Sequence, residues 1–313
     1  ILLCALLLLM NAFTICFAES PVRIAALKGP TAMGMIRMME EQSDRYDFTL
    51  AASADTVVPQ LIRGELDVAA VPANLASILY NNTSGAVRVL AINTLGVMYI
   101  VERGDSLQSV EDLRGKTLYT SGKGSVPEYA LNYILTGNGL DPNTDLQVEY
   151  KSEHSECLSA LMNDPDAVAM LPQPFATVAM TKSPDIRIAL DLTAEWDALQ
   201  ASSEAPSAMI TGVILARSQW IDANPDAVNT LMQDYASSVQ FTLDQPHEAA
   251  VLIGKHDIFE AGPAEKALPY CNITFIAGEE MKAKLGGYLK ALYEQDPASV
   301  GGKLPDEIFY YET

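Results

Sequence analysis

Glycines and short polar side chains follow several apolar runs of this sequence, where they could hold a small ligand. The first group is Lys28-Gly29-Pro30-Thr31, directly after the apolar run 22–27. It combines backbone N–H groups at a helix start with one hydroxyl and one cation, which suits an anionic or carbonyl group. An ordinary strand-to-helix turn has the same composition; we favour a binding role.

A second candidate loop is Ser121-Gly122-Lys123-Gly124-Ser125, which precedes a helix opened by Pro127. It has neither the spacing of a P-loop nor the third glycine of a dinucleotide fingerprint. A glycine-rich loop before a helix can still accept the polar edge of a ligand. We therefore predict that Ser121, Gly124 and Ser125 contact a ligand.

Further polar side chains stand just past predicted strand ends, where they could orient a ligand. These are Ser53, Asn74 and Gln173. His154 lies at a helix start, where it could cap the helix or donate to a ligand. Phe175 could stack on a flat ligand, although core packing is the usual role of such a side chain.

The sequence offers no support for catalysis. It contains no G-x-S-x-G, HExxH or CxxC motif, and no His, Cys and Asp cluster with metal-ligand spacing. Glu128 and Glu153 could act as a carboxylate pair, but Glu near a helix N-terminus usually compensates the helix dipole. We predict no catalytic residues, no metal and no cofactor, and hence a protein that is not an enzyme.

Composition narrows the protein class. The 313 residues are 49% hydrophobic and 19% charged, enough for a substantial core and unlike a disordered chain. Twenty basic residues stand against 40 acidic ones, a net charge of -20. So acidic a surface repels phosphate backbones, and we expect no nucleic-acid binding.

The N-terminus reads as a processing segment. Residues 1–18 carry no charge and end in Cys16-Phe17-Ala18, which is typical of a secretory signal peptide and its cleavage site. A membrane-spanning helix is the alternative, at the short end of the spanning range. Ile15 does not fit the small residue that precedes a lipidated cysteine, so a lipid anchor has no support. Because an initiator Met and a basic start are missing, we expect the chain to extend further toward its N-terminus.

Short apolar runs alternate with helical stretches, which predicts an α/β fold. Residues 68–76 (VAAVPANLA) and 168–176 (VAMLPQPFA) also echo each other at a spacing of 100. Coincidence is one interpretation. The other is two similar α/β lobes that turn their strand ends toward one cleft, the place where open α/β sheets bind ligands.

These pieces together resemble a known family. Residues 23–31 (RIAALKGPT), 61–69 (LIRGELDVA) and 171–175 (LPQPF) are similar to the type II periplasmic-type solute-binding proteins of ABC importers. The likeness is greatest to the branch that binds nitrate, sulfonates, taurine and thiamine-pyrimidine precursors. It covers essentially the whole chain after the leader.

The resemblance implies a bilobal type II periplasmic-binding-protein fold with two crossover strands. Lobe 1 would hold residues 19–100 and 213–313, and lobe 2 residues 101–212. The crossovers would lie near residues 93–96 and 211–213, which adds Asn93 and Thr94 to the predicted ligand contacts. Because a Cys157–Cys271 disulfide would staple the lobes together, we predict two unpaired thiols.

The resemblance also implies a function. We expect a monomeric extracytoplasmic protein that captures a small organic solute and delivers it to a membrane permease. Since few arginines lie at the predicted strand ends, a neutral or zwitterionic solute is favoured. The alternatives are an enzyme on the same fold that acts on a small pyrimidine or carboxylate metabolite, and a solute sensor. The sequence separates neither transport from sensing nor one solute from another.

Overall fold

A computed structural model of the protein describes residues 20–201 and 207–312. The predicted leader, residues 1–18, lies outside this range. Among the described residues, no helix is both long enough and apolar enough to span a membrane.

Eleven strands form the framework. They are β1 (Val22–Leu27), β2 (Tyr46–Ala51), β3 (Val68–Pro72), β4 (Val87–Leu95), β5 (Met98–Arg103), β6 (Thr117–Ser121), β7 (Gln147–Lys151), β8 (Val168–Pro172), β9 (Ile186–Asp191), β10 (Ile210–Arg217) and β11 (Ile273–Ile276).

Helices connect and cover the strands. They are α1 (Pro30–Met33), α2 (Ile36–Glu41), α3 (Ala54–Ile62), α4 (Ala73–Asn82), α5 (Val126–Gly137), α6 (His154–Asn163), α7 (Phe175–Lys182), α8 (Leu192–Gln200), α9 (Ser218–Ala223), α10 (Pro225–Asp244), α11 (Pro246–Lys255), α12 (Ala261–Ala267) and α13 (Gly278–Gln295). Short 3₁₀ turns occupy Val110–Leu113, Leu268–Tyr270, Pro297–Val300 and Glu307–Phe309.

The strands form two sheets, which define two lobes. The first lobe has the order β11-β4-β10-β3-β1-β2, and the second lobe the order β7-β6-β8-β5-β9. The chain leaves the first sheet after Leu95 and enters the second at Met98, then returns between Asp191 and Ile210. The predicted α/β fold is therefore confirmed.

The two sheets share one internal arrangement, which explains the sequence echo. In the first sheet β3 lies between the parallel strand β1 and the antiparallel strand β10. In the second sheet β8 lies between the parallel strand β6 and the antiparallel strand β5. Both echoed strands are buried along nearly their whole length, as expected for strands covered by helices on both faces.

Other details differ from the sequence-based expectations. The sequence patterns predict neither strand β9 nor helix α8 nor strand β11. Strand β11 is only four residues long and lies within a helical region, so it leaves little strand signal. Strand β5 begins at Met98 and pairs only within the second sheet, so sheet membership favours a first lobe boundary a few residues before position 100. The lobe boundaries themselves remain a proposal.

The predicted free thiols are confirmed. Cys157 and Cys271 are unpaired and buried. Burial raises the pKa of the Cys157 thiol to about 11 and that of Cys271 to about 12, so both stay protonated at neutral pH.

One carboxylate ties together the central strands of the first sheet. Asp67, directly before β3, is 5% exposed and accepts from Arg23 Nη2 at 2.7 Å and from Arg217 Nη2 at 2.7 Å. It also accepts from the backbone N–H of Arg23. The network lies at the edge where β1 and β3 begin, so it fixes the register of the strands whose other ends carry candidate site residues.

We expect Asp67→Asn to destabilise the protein by on the order of 2–4 kcal/mol, because two partly buried guanidinium groups lose their shared counter-charge. Urea denaturation checks this. The control is Glu65→Gln, which breaks an exposed pair with Arg63 and should change little. Equal stability of wild type and Asp67→Asn would contradict the assigned role of Asp67.

Candidate functional site

In both sheets, the carboxyl ends of the parallel strands point toward the space between the two lobes. Strands β1, β2 and β3 run parallel and end at one edge of the first sheet, where β4 also ends. Strands β6, β7 and β8 end at one edge of the second sheet, where β5 begins. Since β4 runs directly into β5, these edges face each other, and we take them as the candidate solute cleft.

The second lobe brings three candidate ligand-binding residues into contact. Ser121 Oγ, at the end of β6, lies 2.7 Å from Nδ1 of His154 at the start of α6. The His154 ring packs against Phe175 at the start of α7, with a centroid distance of 5.3 Å. A hydroxyl, an imidazole and an aromatic face thus converge at the ends of three neighbouring strands.

The first lobe brings a second group together. Asn93 Nδ2 donates to the backbone carbonyl of Thr31 at 3.1 Å, and the Thr31 hydroxyl donates to the carbonyl of Leu27. A Cβ at Gly212 would come within 2.5 Å of Asn93 Oδ1 and 2.6 Å of Thr31 Cγ2. Gly212 therefore permits the close approach of β10 to these side chains.

Lys28 and its neighbouring glycine stand at the rim of this first-lobe group. Gly29 has φ +118°, a backbone conformation that favours glycine, with open space around its Cα. Lys28 Nζ donates to Asp257 Oδ2 at 2.5 Å. Its charge is therefore already paired, with a carboxylate that no sequence motif identifies.

Other predicted residues are engaged elsewhere. Asn74 is buried and donates to the carbonyl of Ser299, so it anchors the C-terminal tail. The Ser125 hydroxyl donates to the carbonyl of Gly122, and the Gly124 N–H donates to Glu128 Oε2 at 2.5 Å. Ser53 is exposed at the N-terminus of α3. None of these four shares a hydrogen bond with the two groups above within the part of the chain that the structure describes.

Several buried polar atoms near the crossovers have no hydrogen-bond partner in the described protein. They are Asn93 Oδ1, Thr94 Oγ1, Gln173 Nε2 and Thr193 Oγ1. Gln173 is 1% exposed, and its Oε1 accepts from the N–H and hydroxyl of Thr177, which leaves only the Nε2 donor unused. Because an unpaired buried donor costs about 1–3 kcal/mol, Gln173 Nε2 is the strongest candidate for a group that a solute satisfies.

The charge distribution disfavours an arginine clamp. Every arginine of the chain lies within 4.0 Å of a carboxylate in an ion pair, so the described edges carry no free guanidinium group. The polar groups left at these edges are hydroxyls, amides, an imidazole and backbone N–H groups. No cluster of His, Cys, Asp and Glu suited to a metal occurs among residues 20–201 and 207–312.

Sequence reasoning missed part of this arrangement. Asp257, Phe259 and Thr193 lie outside every motif singled out in the sequence. The fold brings Asp257 to Lys28, Phe259 to Phe175, and Thr193 to the crossover at Gly96. No spacing rule selects them, because their nearness to the other residues depends on how distant segments of the chain pack.

Comparison with known proteins identifies the family and the fold. A sequence model described as "ABC transporter, phosphonate, periplasmic substrate-binding protein" matches residues 34–255. No curated protein matches the sequence. A crystal structure of an ABC transporter from Parabacteroides distasonis superposes with a TM-score of 0.80 at 22% identity, covering 94% of this chain and 99% of that one.

Sulfonate-binding proteins also share the fold. The periplasmic aliphatic sulphonate binding protein SsuA from Escherichia coli has a TM-score of 0.74 at 15% identity, covering 94% of this chain and 92% of that one. The alkanesulfonate-binding protein SsuA from Xanthomonas axonopodis pv. citri, bound to MOPS, has a TM-score of 0.63 at 15% identity, with 93% and 96% covered.

The environment of His154 predicts a pH dependence of stability. Burial lowers the pKa of His154 from its ordinary value of 6.5, although Glu153 partly opposes this. The folded protein then keeps the ring neutral, whereas the unfolded chain protonates it as the pH falls below about 6.5. Relative to His154→Gln, the wild type should therefore lose stability between pH 7.5 and pH 5, as measured by urea denaturation.

His247 provides a control of opposite sign. Its hydrogen bond with Glu265 raises its pKa, so protonation favours the folded state. Relative to His247→Gln, the wild type should gain stability over the same pH interval. The same pH response in the wild type and in His154→Gln would show that the ring is not held neutral by burial.

Proposed function

The chain belongs to the family of periplasmic substrate-binding proteins of ABC phosphonate transporters, and from this we propose that it captures one small organic solute between the facing sheet edges. Membership of this family implies that the protein lies outside the cytoplasm, binds a small solute and works with an ABC permease. We further propose that it acts as a monomer, that its leader is removed, and that it binds no nucleic acid.

The observation that carries the proposed site is the convergence of Ser121, His154 and Phe175 at three strand ends of the second lobe. We propose that Lys28, Thr31 and Asn93, at the corresponding edge of the first sheet, complete the site. Hydroxyl and imidazole groups can hydrogen-bond an oxyanion, and the Phe175 ring offers an apolar wall for the body of the solute.

The paired charges define the solute class that we propose. Because no arginine is free at the described edges and Lys28 is paired with Asp257, the cleft supplies neutral donors rather than net positive charge. A zwitterion satisfies such a site better than a dianion does. An aminoalkyl phosphonate or sulfonate combines this charge balance with the solute classes named for the family and for the SsuA proteins.

We propose a binding role without catalysis. The Ser121–His154 pair resembles a nucleophile and its base, but catalysis would need a third group to orient the imidazole. Within the described residues, no carboxylate is hydrogen-bonded to the His154 ring, whose other close partner is Phe175.

Thermal shifts of the chain from residue 20 onward test the solute class. The panel is 2-aminoethylphosphonate, methylphosphonate, taurine, ethanesulfonate and nitrate. A solute at about 100 times its Kd adds about 2.7 kcal/mol of stability, which gives a clear shift for a protein of this size. We expect the zwitterions to give the largest shifts. A response to methylphosphonate or nitrate alone would overturn the zwitterion assignment.

Gln173→Glu tests the site itself. The substitution keeps the oxygen that accepts from Thr177 and replaces the unused Nε2 donor by a carboxylate oxygen. We expect affinity for the best solute of the panel to fall by about tenfold or more in calorimetry, since one buried hydrogen bond is lost. Gln233→Glu, on the exposed face of α10, makes the same chemical change and should leave affinity unchanged. Equal affinity of both variants would move the site away from Gln173.

A further inference from the structure

The lobes also touch away from the crossovers, through helices on two sides of the sheets. On one side α13 of the first lobe meets α5 and α8 of the second. There the rings of Trp196 and Tyr288 lie 5.3 Å apart, and Gln295 Nε2 donates to the carbonyl of Tyr129 at 3.0 Å. On the other side a short first-lobe segment, residues 257–259, meets α7 and its surroundings.

Both ends of this segment contact candidate site residues. Asp257 accepts from Lys28 Nζ at 2.5 Å. Two residues later, the Phe259 ring packs on Phe175 at a centroid distance of 6.1 Å and an interplanar angle of 73°, a T-shaped contact. Phe175 in turn contacts His154. A continuous series of contacts therefore runs from β1 of the first lobe to α6 of the second.

The segment is held firmly on the first lobe. It follows α11 directly, and the end of that helix is fixed by Glu40 of α2. Glu40 contacts Lys255 Nζ at 2.5 Å and His256 Nε2 at 2.8 Å. Asp257 has φ +55°, a left-handed conformation that turns the chain sharply after the helix. Phe259 therefore projects from a fixed base and does not hang on a loose loop.

We propose that residues 257–259 form a clasp that holds the lobes together over the solute cleft, and that Asp257 and Phe259 are positioning residues for solute capture. Within this segment Phe259 supplies the contact between the lobes, because the two rings of the T-shaped pair with Phe175 come from opposite lobes. The Lys28–Asp257 pair lies wholly within the first lobe, so it orients the segment but makes no contact between the lobes, and the 92% exposure of the Asp257 side chain keeps this effect small.

The clasp is tested without any solute, by measuring a distance between the lobes. Spin labels go on cysteines introduced at exposed positions, Ser159→Cys on α6 and Gln233→Cys on α10. The native cysteines are buried and stay unlabelled. Pulsed electron paramagnetic resonance then gives the populations of short (closed) and long (open) distances. We expect the short distance to dominate in the otherwise unmodified protein.

Phe259→Ala should shift the ratio of closed to open molecules by about 2- to 10-fold toward open, the effect expected from losing one aromatic pair. Asp257→Asn should shift it by less than about 2-fold. The control is Phe275→Ala, which removes a T-shaped contact with Tyr235 inside the first lobe and should leave the ratio unchanged.

Circular dichroism establishes that each variant is folded. If Phe259→Ala is not, Phe259→Leu takes its place and should shift the ratio in the same direction. An unchanged ratio in a folded Phe259 variant would overturn the proposal, as would a protein that shows only the long distance before any substitution. Because no solute is used, failure of the clasp is distinct from failure of the proposed solute class.

Discussion

Two crossovers, β4 to β5 and β9 to β10, set the geometry on which the rest of the molecule depends. Only Gly96 and Val97 separate the first pair of strands, so the chain has no room to turn the second sheet away from the first. The carboxyl ends of the parallel strands in both sheets must then face the same interval. Strands β1, β4, β6, β7 and β8 carry polar side chains at or just beyond this edge, so the proposed cleft collects polar groups from several strands without any single motif defining it.

The charge pattern shows how such a site can be selective on an acidic protein. The arginines form structural ion pairs. Arg23 and Arg217, for example, both pair with Asp67 and fix the register of the strands. The proposed cleft offers short-range, directional groups such as Ser121, His154 and Gln173. Hydrogen bonds of this kind discriminate between solutes by geometry. A buried donor left without an acceptor loses more free energy than a formed hydrogen bond gains.

The sequence predicted the repeated β-strand and helix units well, because their signals are local. The echo of residues 68–76 in 168–176 reported a real equivalence: β3 and β8 hold matching places in the two sheets. The contacts of Ser121 with His154 join two positions that were each predicted singly. Asn74 and Ser125 show the limit of such reasoning. Both stand past strand ends, yet their polar groups bond to Ser299 and Gly122. Which partner a polar side chain takes depends on chain segments that no local pattern identifies.

The order of strands along the chain bears on how the protein forms as it is made. The second sheet is built entirely from residues 98–191, one continuous stretch, whereas the first sheet waits for β10 and β11. Its strands β3 and β4 pair with β10 across more than a hundred residues, and Tyr311 donates to the carbonyl of Val89 in β4. Such long-range pairings form slowly. A chain that emerges N-terminus first would thus complete the second lobe before the first, whose sheet forms fully only when the C-terminal residues are available. A truncated product would keep half a cleft with nothing to close against it.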